Sequence, residues 1–316
     1  MACRARVLVL DPVDDALIEE LRAKGVCVDI ATNMSRNELL NIVASYDAIV
    51  VRSRTRIDAE VLRRGAEGRL RIVARAGVGL DNINVDEARR LGIEVVNVPH
   101  GATQSVVELT IGLMIALARR IVELCNLVKS GGWRRPLGIE LAGKTLLVVG
   151  FGRIGRRVAE IARAIGMKVL VYDKPEVLKI AHDVGYEVVE DLCEGLKRAD
   201  VVTLHVPLTN ETRHMLNRDN IFRCLKPGAL IVNTSRGAVI ETEALLEALE
   251  KGIVGGAALD VLENEPPRTD VERKLVEHPR VVVTPHIGAQ TVEAQQRIAR
   301  ELARILVEKL GLGGDV

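Results

Sequence analysis

Aromatic residues are scarce in this chain, and their scarcity limits how its core can be built. The 316 residues include 2 Phe, 3 Tyr and 1 Trp, whereas 48% of all residues are hydrophobic. The core must therefore consist mainly of Val, Ile, Leu and Ala, which is typical of buried parallel β-sheets. A chain of this length can form two domains of ordinary size.

Other absences exclude whole classes of function. The net charge is +1, with neither a basic block nor an acidic tail, which argues against nucleic acid or a membrane surface as the main partner. The five cysteines are scattered, without a C-x-x-C motif or a Cys/His cluster, so we predict no metal site. We expect reduced thiols, a cytoplasmic location and no signal peptide. The longest apolar helix candidate, Val106 to Ala118, is too short to span a bilayer.

Strand-like and helix-like segments alternate along the whole chain, which indicates an α/β fold. A long apolar helix is expected from Ser105, which would form a capping box with Glu108. The last helix, Val292–Lys309, could return to the first domain and make that domain discontinuous. The predicted strands are Val7–Leu10, Val26–Ile30, Ala48–Arg52, Ile72–Ala74, Glu94–Asn97, Leu146–Val149, Val169–Tyr172, Val201–His205, Ala229–Asn233, Ala257–Asp260 and Val281–Thr284.

The central segment of the chain carries the clearest functional motif. An apolar run ends at Gly150, and Gly152 and Gly155 complete a G-x-G-x-x-G pattern. In such a motif the first Gly permits a tight turn, the second lets a pyrophosphate approach, and the third packs a helix against the strand. Asp173 ends the next predicted strand and can accept a hydrogen bond from a ribose 2′-hydroxyl. This favours NAD over NADP, although the neighbouring Lys174 could soften that selection.

The ends of later strands supply the groups that hydride transfer to a keto acid requires. These groups are a cation for the substrate carboxylate, a proton donor, and an acid that fixes the orientation of the donor. Arg236, His286 and Glu265 could fill these roles in that order. Arg236 could equally be an ordinary surface residue. His205 also stands at a strand end, and Glu263 shares the acidic turn of Glu265.

Two segments of the first domain could bind an anionic substrate. Arg52 ends one predicted strand and is followed by Ser53 and Arg54, and Arg75 and Gly77 follow the next. Cations, a hydroxyl group and glycine N–H groups at strand ends suit an anion, including a phosphorylated one. For either segment taken alone, the alternative to an anion-binding site is a set of surface cations with no binding role.

These motifs resemble those of the D-2-hydroxyacid dehydrogenase family, and most closely those of its phosphoglycerate dehydrogenases. The resemblance covers essentially the whole chain and is carried by residues 51–55, 75–82, 150–155, 233–237, 258–261, 265–267 and 285–289. It implies an α/β fold of two doubly wound domains. A Rossmann NAD-binding domain (99–286) would be inserted in a discontinuous flavodoxin-like substrate-binding domain (1–98 and 287–316). It also implies a homodimer.

The resemblance further implies oxidation of 3-phospho-D-glycerate to 3-phosphohydroxypyruvate, the first step of serine biosynthesis, with NAD as cofactor. The implied catalytic residues are Arg236 for the carboxylate, His286 for the hydroxyl proton and Glu265 for the imidazolium. The predicted substrate-binding residues are Arg52, Ser53, Arg54, Arg75, Gly77 and Arg135, the last reaching a partner subunit's site. The predicted cofactor-binding residues are Val78, Gly150, Gly152, Arg153, Ile154, Gly155, Asp173, Val206, Thr234, Ser235, Arg236, Asp260, His286, Gly288 and Ala289.

Several points stay open at the level of the sequence. A glyoxylate or hydroxypyruvate reductase would use the same scaffold, and an NADH-sensing co-repressor would keep the same catalytic-looking residues. Asp260 could bind the nicotinamide carboxamide or merely cap its turn. Ala102 replaces an Asn that the family often places near the substrate. Many phosphoglycerate dehydrogenases continue into a C-terminal regulatory domain, whereas this sequence stops at Val316. We therefore expect no serine feedback through such a domain.

Overall fold

A computed structural model describes residues 3–313 of the chain. Strands and helices alternate along it, and they form two compact units. The first unit combines the residues before Gln104 with those after Gly288, and the second unit comprises Gln104–Gly288. The elements of the first unit up to residue 97 are β1 (Ala5–Val9), α1 (Asp15–Ala23), β2 (Val26–Ile30), α2 (Arg36–Ile42), β3 (Ala48–Val51), α3 (Ala59–Ala66), β4 (Ile72–Arg75), α4 (Val85–Arg90) and β5 (Glu94–Asn97).

The second unit opens with the long apolar helix and then alternates again, and a final helix follows it. The strands are β6 (Thr145–Val149), β7 (Lys168–Tyr172), β8 (Glu187–Val188), β9 (Val201–Leu204), β10 (Ala229–Asn233), β11 (Val254–Leu259) and β12 (Val281–Val283). The helices are α5 (Thr103–Ala118), α6 (Ile121–Lys129), α7 (Arg153–Ala164), α8 (Pro175–Asp183), α9 (Leu192–Arg198), α10 (Arg218–Cys224), α11 (Thr242–Glu250), α12 (Asp270–Glu277) and α13 (Val292–Lys309).

The first unit is built around a parallel five-stranded sheet with the order β2-β1-β3-β4-β5. The order reverses beside β1, so this is a doubly wound sheet of the flavodoxin type. Its central strands are buried, as a parallel sheet covered on both faces requires. Helix α13 contacts α1 and β4 of this unit.

The second unit contains a parallel seven-stranded sheet with the order β12-β11-β10-β9-β6-β7-β8. The chain starts in the middle at β6, winds outward to β8, and then returns to fill the other side from β9 to β12. That is the Rossmann arrangement, in which ligands bind beyond the carboxyl ends of the strands. The predicted α/β class with two doubly wound sheets is confirmed.

Beyond small shifts in strand ends, the structure differs from the sequence analysis at the start of α5 and at strand β8. Helix α5 begins at Thr103, so Ser105 lies inside its first turn instead of capping it. The buried Ser105 hydroxyl donates a hydrogen bond to the carbonyl of Gly288 at 2.6 Å, a tertiary contact that local sequence cannot reveal. The edge strand β8 was also missed, because two residues are too few to show an alternating pattern.

Within residues 3–313, none of the helices combines the length and the hydropathy that a membrane-spanning segment requires. In the same residues, no group of three or more His, Cys, Asp or Glu side chains is placed to hold a metal ion.

The prediction of five reduced thiols is wrong for four of them. One disulfide joins Cys3 to Cys27, and another joins Cys193 to Cys224, with Cα–Cα distances of 5.5 and 5.0 Å. Cys125 is free and exposed. The partners are 24 and 31 residues apart in sequence, so only the folded chain brings them together.

The bond between helices α9 and α10 should contribute substantially to stability. Replacing Cys193 and Cys224 together with Ala should lower the free energy of unfolding by about 3 to 4 kcal/mol, because the closed loop restricts the unfolded chain. In a unit of this size that corresponds to roughly 10 °C in the unfolding midpoint. Thermal unfolding without reductant measures this, and Cys125→Ala is the matched control. Equal midpoints for both variants would refute the expectation.

Candidate active site

Three neighbouring strands of the second unit end at the same edge of its sheet. Strands β10, β11 and β12 lie side by side and run parallel. Arg236, Glu265 and His286 lie in the segments that follow these strands, in that order. The carboxyl edge of an open α/β sheet is where such folds bind ligands. The topology therefore places all three residues at the sheet edge where a ligand is expected to bind.

His286 and Glu265 form a hydrogen-bonded pair. The Nδ1 atom of His286 lies 2.7 Å from Oε2 of Glu265. The other oxygen of Glu265 accepts from the backbone N–H of Leu262 at 3.1 Å, which fixes the carboxylate. Because Nδ1 is engaged, Nε2 is the ring nitrogen left to face a reactant. The side chains are 40% and 39% exposed, so the pair is accessible.

The backbone of His286 is held in an unusual conformation by Asp260. His286 has φ +53°, a left-handed conformation that is costly for a residue with a side chain. Asp260 accepts hydrogen bonds from the Thr284 hydroxyl at 2.6 Å and from the N–H groups of Ile287 and Gly288, both at 2.8 Å. Asp260 thus brackets His286 and caps its turn. Among the described residues, donors use three of its four acceptor positions.

The turn that carries Arg236 is held by Asn233. The side-chain oxygen of Asn233 accepts from the N–H of Ser235 at 3.0 Å and from its hydroxyl at 2.8 Å. The amide nitrogen of Asn233 donates to the carbonyl of Arg236 at 2.9 Å. A Cβ at Gly237 would overlap the backbone of Leu262. The Arg236 turn therefore packs directly on the segment that leads to Glu265.

A second buried carboxylate, that of Glu272, fixes the backbone on both sides of Glu265. Glu272, in the first turn of α12, accepts hydrogen bonds from the N–H groups of Asn264 at 3.0 Å, Arg268 at 2.8 Å and Thr269 at 2.9 Å. Burial raises the pKa of Glu272, but these donors outweigh it and lower the pKa to about 2. Glu272 is therefore ionised at neutral pH, and its contribution to loop order would be lost only in strong acid.

His205, the rival proton donor, lies in a different environment. Its Nε2 is 2.9 Å from the Thr203 hydroxyl, and its buried Nδ1 has no hydrogen-bond partner within residues 3–313. Burial lowers the pKa of His205 to about 3, so its ring is neutral at working pH. Without a carboxylate partner it is the weaker candidate for proton transfer.

The structure also distinguishes the two acidic candidates, Glu263 and Glu265, because each pairs with a different histidine. Oε2 of Glu263 lies 3.1 Å from Nε2 of His214, and Oε1 accepts from the N–H and hydroxyl of Thr242 at 3.0 and 2.8 Å. Burial raises the pKa of Glu263, but the Thr242 hydroxyl and His214 bring it below its usual value. Glu263 thus belongs to a second His–Glu pair, which the sequence analysis did not predict.

The glycine-rich turn after β6 fits a dinucleotide. Gly150 has φ +95°, and a Cβ there would lie 2.6 Å from the backbone carbonyl that follows β9. A Cβ at Gly155 would overlap the carbonyl oxygen of Gly150, whereas one at Gly152 would meet nothing within 4 Å. Gly152 therefore leaves open space at the N-terminus of α7, where a pyrophosphate could approach. Asp173 lies beside this turn, and its Oδ2 accepts from the N–H of Phe151 at 2.6 Å.

The other predicted cofactor-binding residues divide between the units. The second unit holds Arg153 and Ile154 in the first turn of α7, Val206 after β9, Thr234 and Ser235 after β10, and Gly288 after β12, whereas Val78 and Ala289 belong to the first unit. Helix α5 contributes a contact that the sequence did not suggest. The buried hydroxyl groups of Thr110 and Thr234 lie 2.8 Å apart, which ties this helix to the end of β10.

The predicted substrate-binding residues of the first unit lie at the ends of adjacent strands. Arg52, Ser53 and Arg54 follow β3, while Arg75 ends β4 and Gly77 follows it. These two segments therefore lie side by side at the carboxyl edge of the first sheet. Arg135 is in the second unit, in an exposed segment between α6 and β6.

Comparison with known proteins places this geometry in a family. Residues 111–288 match the family model described as D-isomer specific 2-hydroxyacid dehydrogenase, NAD binding domain. The chain is 44% identical to a hydroxypyruvate reductase of Thermotoga maritima, over 98% of this chain and 99% of that protein. It is 43% identical to a D-3-phosphoglycerate dehydrogenase of Methanocaldococcus jannaschii, over 95% of this chain but 57% of that protein. The chain thus spans little more than half the length of that dehydrogenase.

Solved structures show the same similarity. A D-lactate dehydrogenase from Aquifex aeolicus, complexed with NAD and lactic acid, superposes with a TM-score of 0.85 at 32% identity. The match covers 97% of this chain and 95% of that one.

Proposed function

This chain belongs to the D-isomer specific 2-hydroxyacid dehydrogenase family, and we propose that it oxidises 3-phospho-D-glycerate to 3-phosphohydroxypyruvate. Its cofactor is NAD. The observation that carries the proposed chemistry is the His286–Glu265 hydrogen bond at the carboxyl edge of the second sheet. An imidazole oriented by a carboxylate is suited to remove a hydroxyl proton and to return it in the reverse reaction.

In this mechanism each residue has one task. The guanidinium of Arg236 binds the substrate carboxylate through paired hydrogen bonds, which orients C2 and its hydroxyl group. The chemistry that NAD would supply when bound is a hydride acceptor for C2. Nε2 of His286 takes the hydroxyl proton at the same time, so that the alcohol becomes a ketone. Glu265 stabilises the imidazolium that results.

The phosphorylated substrate is supported by the arginines of the first unit. Arg52, Arg54 and Arg75 lie on two adjacent segments of one sheet edge. Arg236 already supplies a cation for the carboxylate, so these three would suit a second anionic group such as a phosphate. Several relatives that are 40% or more identical bear the name D-3-phosphoglycerate dehydrogenase.

Reduction of hydroxypyruvate is the second candidate, and two observations favour it. The hydroxypyruvate reductase of Thermotoga maritima matches this chain over the full length of both proteins. In addition, the Arg54 guanidinium already donates to the Asp11 carboxylate and to the carbonyl of Thr32. A guanidinium with these partners has fewer donors left for a phosphate.

A substrate panel separates the two candidates. The ratio kcat/KM is measured with NADH on phosphohydroxypyruvate, hydroxypyruvate and glyoxylate, at several pH values. The proposal expects phosphohydroxypyruvate to be preferred by about 10-fold or more, as one additional charge-assisted contact would give. A preference for hydroxypyruvate would overturn the phosphoglycerate assignment and leave the dehydrogenase chemistry intact.

The choice of cofactor should depend on Asp173. Asp173→Ser removes the carboxylate that would repel a 2′-phosphate, so we expect the preference for NAD over NADP to fall by about 100-fold. Steady-state kinetics with both cofactors measure the ratio. Asp183→Ser, at the exposed end of α8, is the control and should leave the ratio unchanged. An unaltered ratio in Asp173→Ser would mean that this carboxylate does not face the ribose.

We also propose that the protein is a homodimer. The second unit exposes an apolar surface formed by α6 and the segment after it, in which Val128 is 51%, Trp133 is 74% and Leu137 is 92% exposed. A cluster of exposed large apolar side chains is unfavourable in a monomer and is typical of an interface. Arg135 lies within this surface, which is consistent with a role in the partner's site.

Disruption of this surface should dissociate the dimer. Leu137→Glu is expected to shift the protein from dimer to monomer in sedimentation velocity, because a charge would be buried without a partner. Val184→Glu changes an apolar residue of the same unit that is 52% exposed, at the end of α8, and should leave the mass unchanged. A wild-type monomer would refute the proposal directly.

A further inference from the structure

The buried carboxylate of Asp11 lies beneath the arginine-bearing segment of the first unit. Asp11 follows β1 and is 1% exposed. Its Oδ2 accepts from the N–H groups of Arg52 at 2.6 Å and Thr55 at 3.2 Å. Its Oδ1 accepts from the Thr55 hydroxyl at 2.7 Å and from Nε of Arg54 at 3.3 Å. One side chain therefore holds the segment from residue 52 to residue 55 at both ends.

Asn82 holds the same two residues through their carbonyl groups. Its amide nitrogen donates to the carbonyl oxygen of Arg52 at 2.7 Å and to that of Thr55 at 2.5 Å. Asp11 and Asn82 thus satisfy the N–H and C=O groups of Arg52 and Thr55 together, which leaves this backbone little freedom. Asn82 belongs to the segment that follows Arg75, so the arrangement also ties one cationic segment to the other.

We propose that Asp11 and Asn82 are positioning residues for substrate binding. They fix the backbone of the 52–55 segment so that its side chains meet the substrate's anionic group without reorganisation. This inference rests on the proposed function only in assuming that the segment contacts the substrate. Displacing a binding group by about 1 Å can cost on the order of 100-fold, so positioning of this kind should be visible in kinetics.

The chain provides matched controls for a purely structural role. Asp47 is a second buried carboxylate of the same sheet, but it precedes β3 and therefore lies at the opposite edge. It accepts from the N–H of Arg6 and from the Arg69 guanidinium, both at 2.8 Å. Asn84 caps α4 by accepting from the N–H of Glu87 and is two residues from Asn82. Neither control side chain bonds to the 52–55 segment.

The test compares Asp11→Asn and Asn82→Ala with Asp47→Asn and Asn84→Ala. In Asp11→Asn one acceptor oxygen becomes an NH2 donor. The N–H groups of Arg52 and Thr55, the Thr55 hydroxyl and the Arg54 guanidinium must then share the single oxygen that remains. We expect KM for the preferred keto acid to rise by about 10- to 100-fold in the first two variants. We expect kcat and KM for NADH to change by less than about 3-fold. The controls should lower the unfolding midpoint without changing KM.

Amide hydrogen exchange gives an independent readout. The N–H groups of Arg52 and Thr55 should exchange faster in Asp11→Asn than in the wild type, and at the wild-type rate in Asp47→Asn. An unchanged KM in both Asp11→Asn and Asn82→Ala, or an equal rise in the controls, would overturn the inference. The kinetics use whichever keto acid the wild type prefers. A preference for hydroxypyruvate would therefore refute the phosphoglycerate assignment without deciding this question.

Discussion

Replacing His286 with Asn should lower kcat by about 1000-fold, within the range that a positioned acid–base group typically contributes. Asn suits the backbone at this position, because it tolerates the left-handed φ of +53° better than most residues. Its side-chain amide can still donate to Glu265 in place of Nδ1. The substitution therefore removes Nε2, the proposed proton acceptor, with little other change. Single-turnover kinetics and NADH binding by fluorescence titration separate chemistry from cofactor affinity.

The control for this prediction is His214→Asn. His214 also has a left-handed backbone, with φ +50°, and its ring also pairs with a glutamate, Glu263, at 3.1 Å. The same substitution in the same backbone conformation should change kcat by no more than about 2-fold, as expected for a residue outside the chemistry. Near-wild-type turnover in His286→Asn, or an equal loss in His214→Asn, would show that proton transfer has been assigned to the wrong residue.

Arg236→Ala should lower kcat/KM for the keto acid by about 1000-fold, equivalent to roughly 4 kcal/mol, because the carboxylate loses its paired charged donors. The turn itself should survive, since Asn233 holds it through the Ser235 N–H and hydroxyl and the Arg236 carbonyl. Arg236→Lys keeps the charge but not the planar fork, so we expect a loss of intermediate size. Affinity for NADH should stay close to the wild-type value in both variants.

Two further measurements make the Arg236 result interpretable. Arg223→Ala removes an arginine of the same unit whose side chain is 75% exposed and pairs with Asp219 on the surface. It should leave kcat/KM within about 2-fold, because exposed ion pairs contribute little. Added guanidinium should partly restore the activity of Arg236→Ala if the missing group is a carboxylate anchor. Full activity of Arg236→Ala without added guanidinium would exclude the role of Arg236 as a carboxylate anchor.

Much of the architecture could be predicted from the sequence because its signals are local. Strands β2, β5 and β10 and helix α13 have the predicted bounds, since each is an apolar or amphipathic run with clear ends. The glycine-rich turn could also be predicted, because the spacing of its glycines is a local sequence pattern. Each glycine is required by the space available at its own position. Strand β8 was not predicted, because it is defined by its pairing with β7 in the sheet and not by a pattern in its own two residues.

The errors concern side chains whose partners are distant in sequence. Ser105 forms part of a plausible capping box, but its hydroxyl donates to Gly288, 183 positions away. Cys193 and Cys224 look unrelated until α9 and α10 are packed together. A hydrogen bond or a disulfide requires atoms to meet within a few ångströms, and spacing along the chain does not specify that distance.

The amino-acid order by itself determined the alternation of strands and helices, the dinucleotide turn and the residue types available for hydride transfer. It did so because these features depend on local backbone preference and apolar periodicity. Only the tertiary structure decided that Glu265 pairs with His286 while Glu263 pairs with His214. The same holds for the bonds from Asp11 to the segment that carries Arg54. Such choices follow from how parallel strands bring their carboxyl ends together, which is a property of the whole sheet.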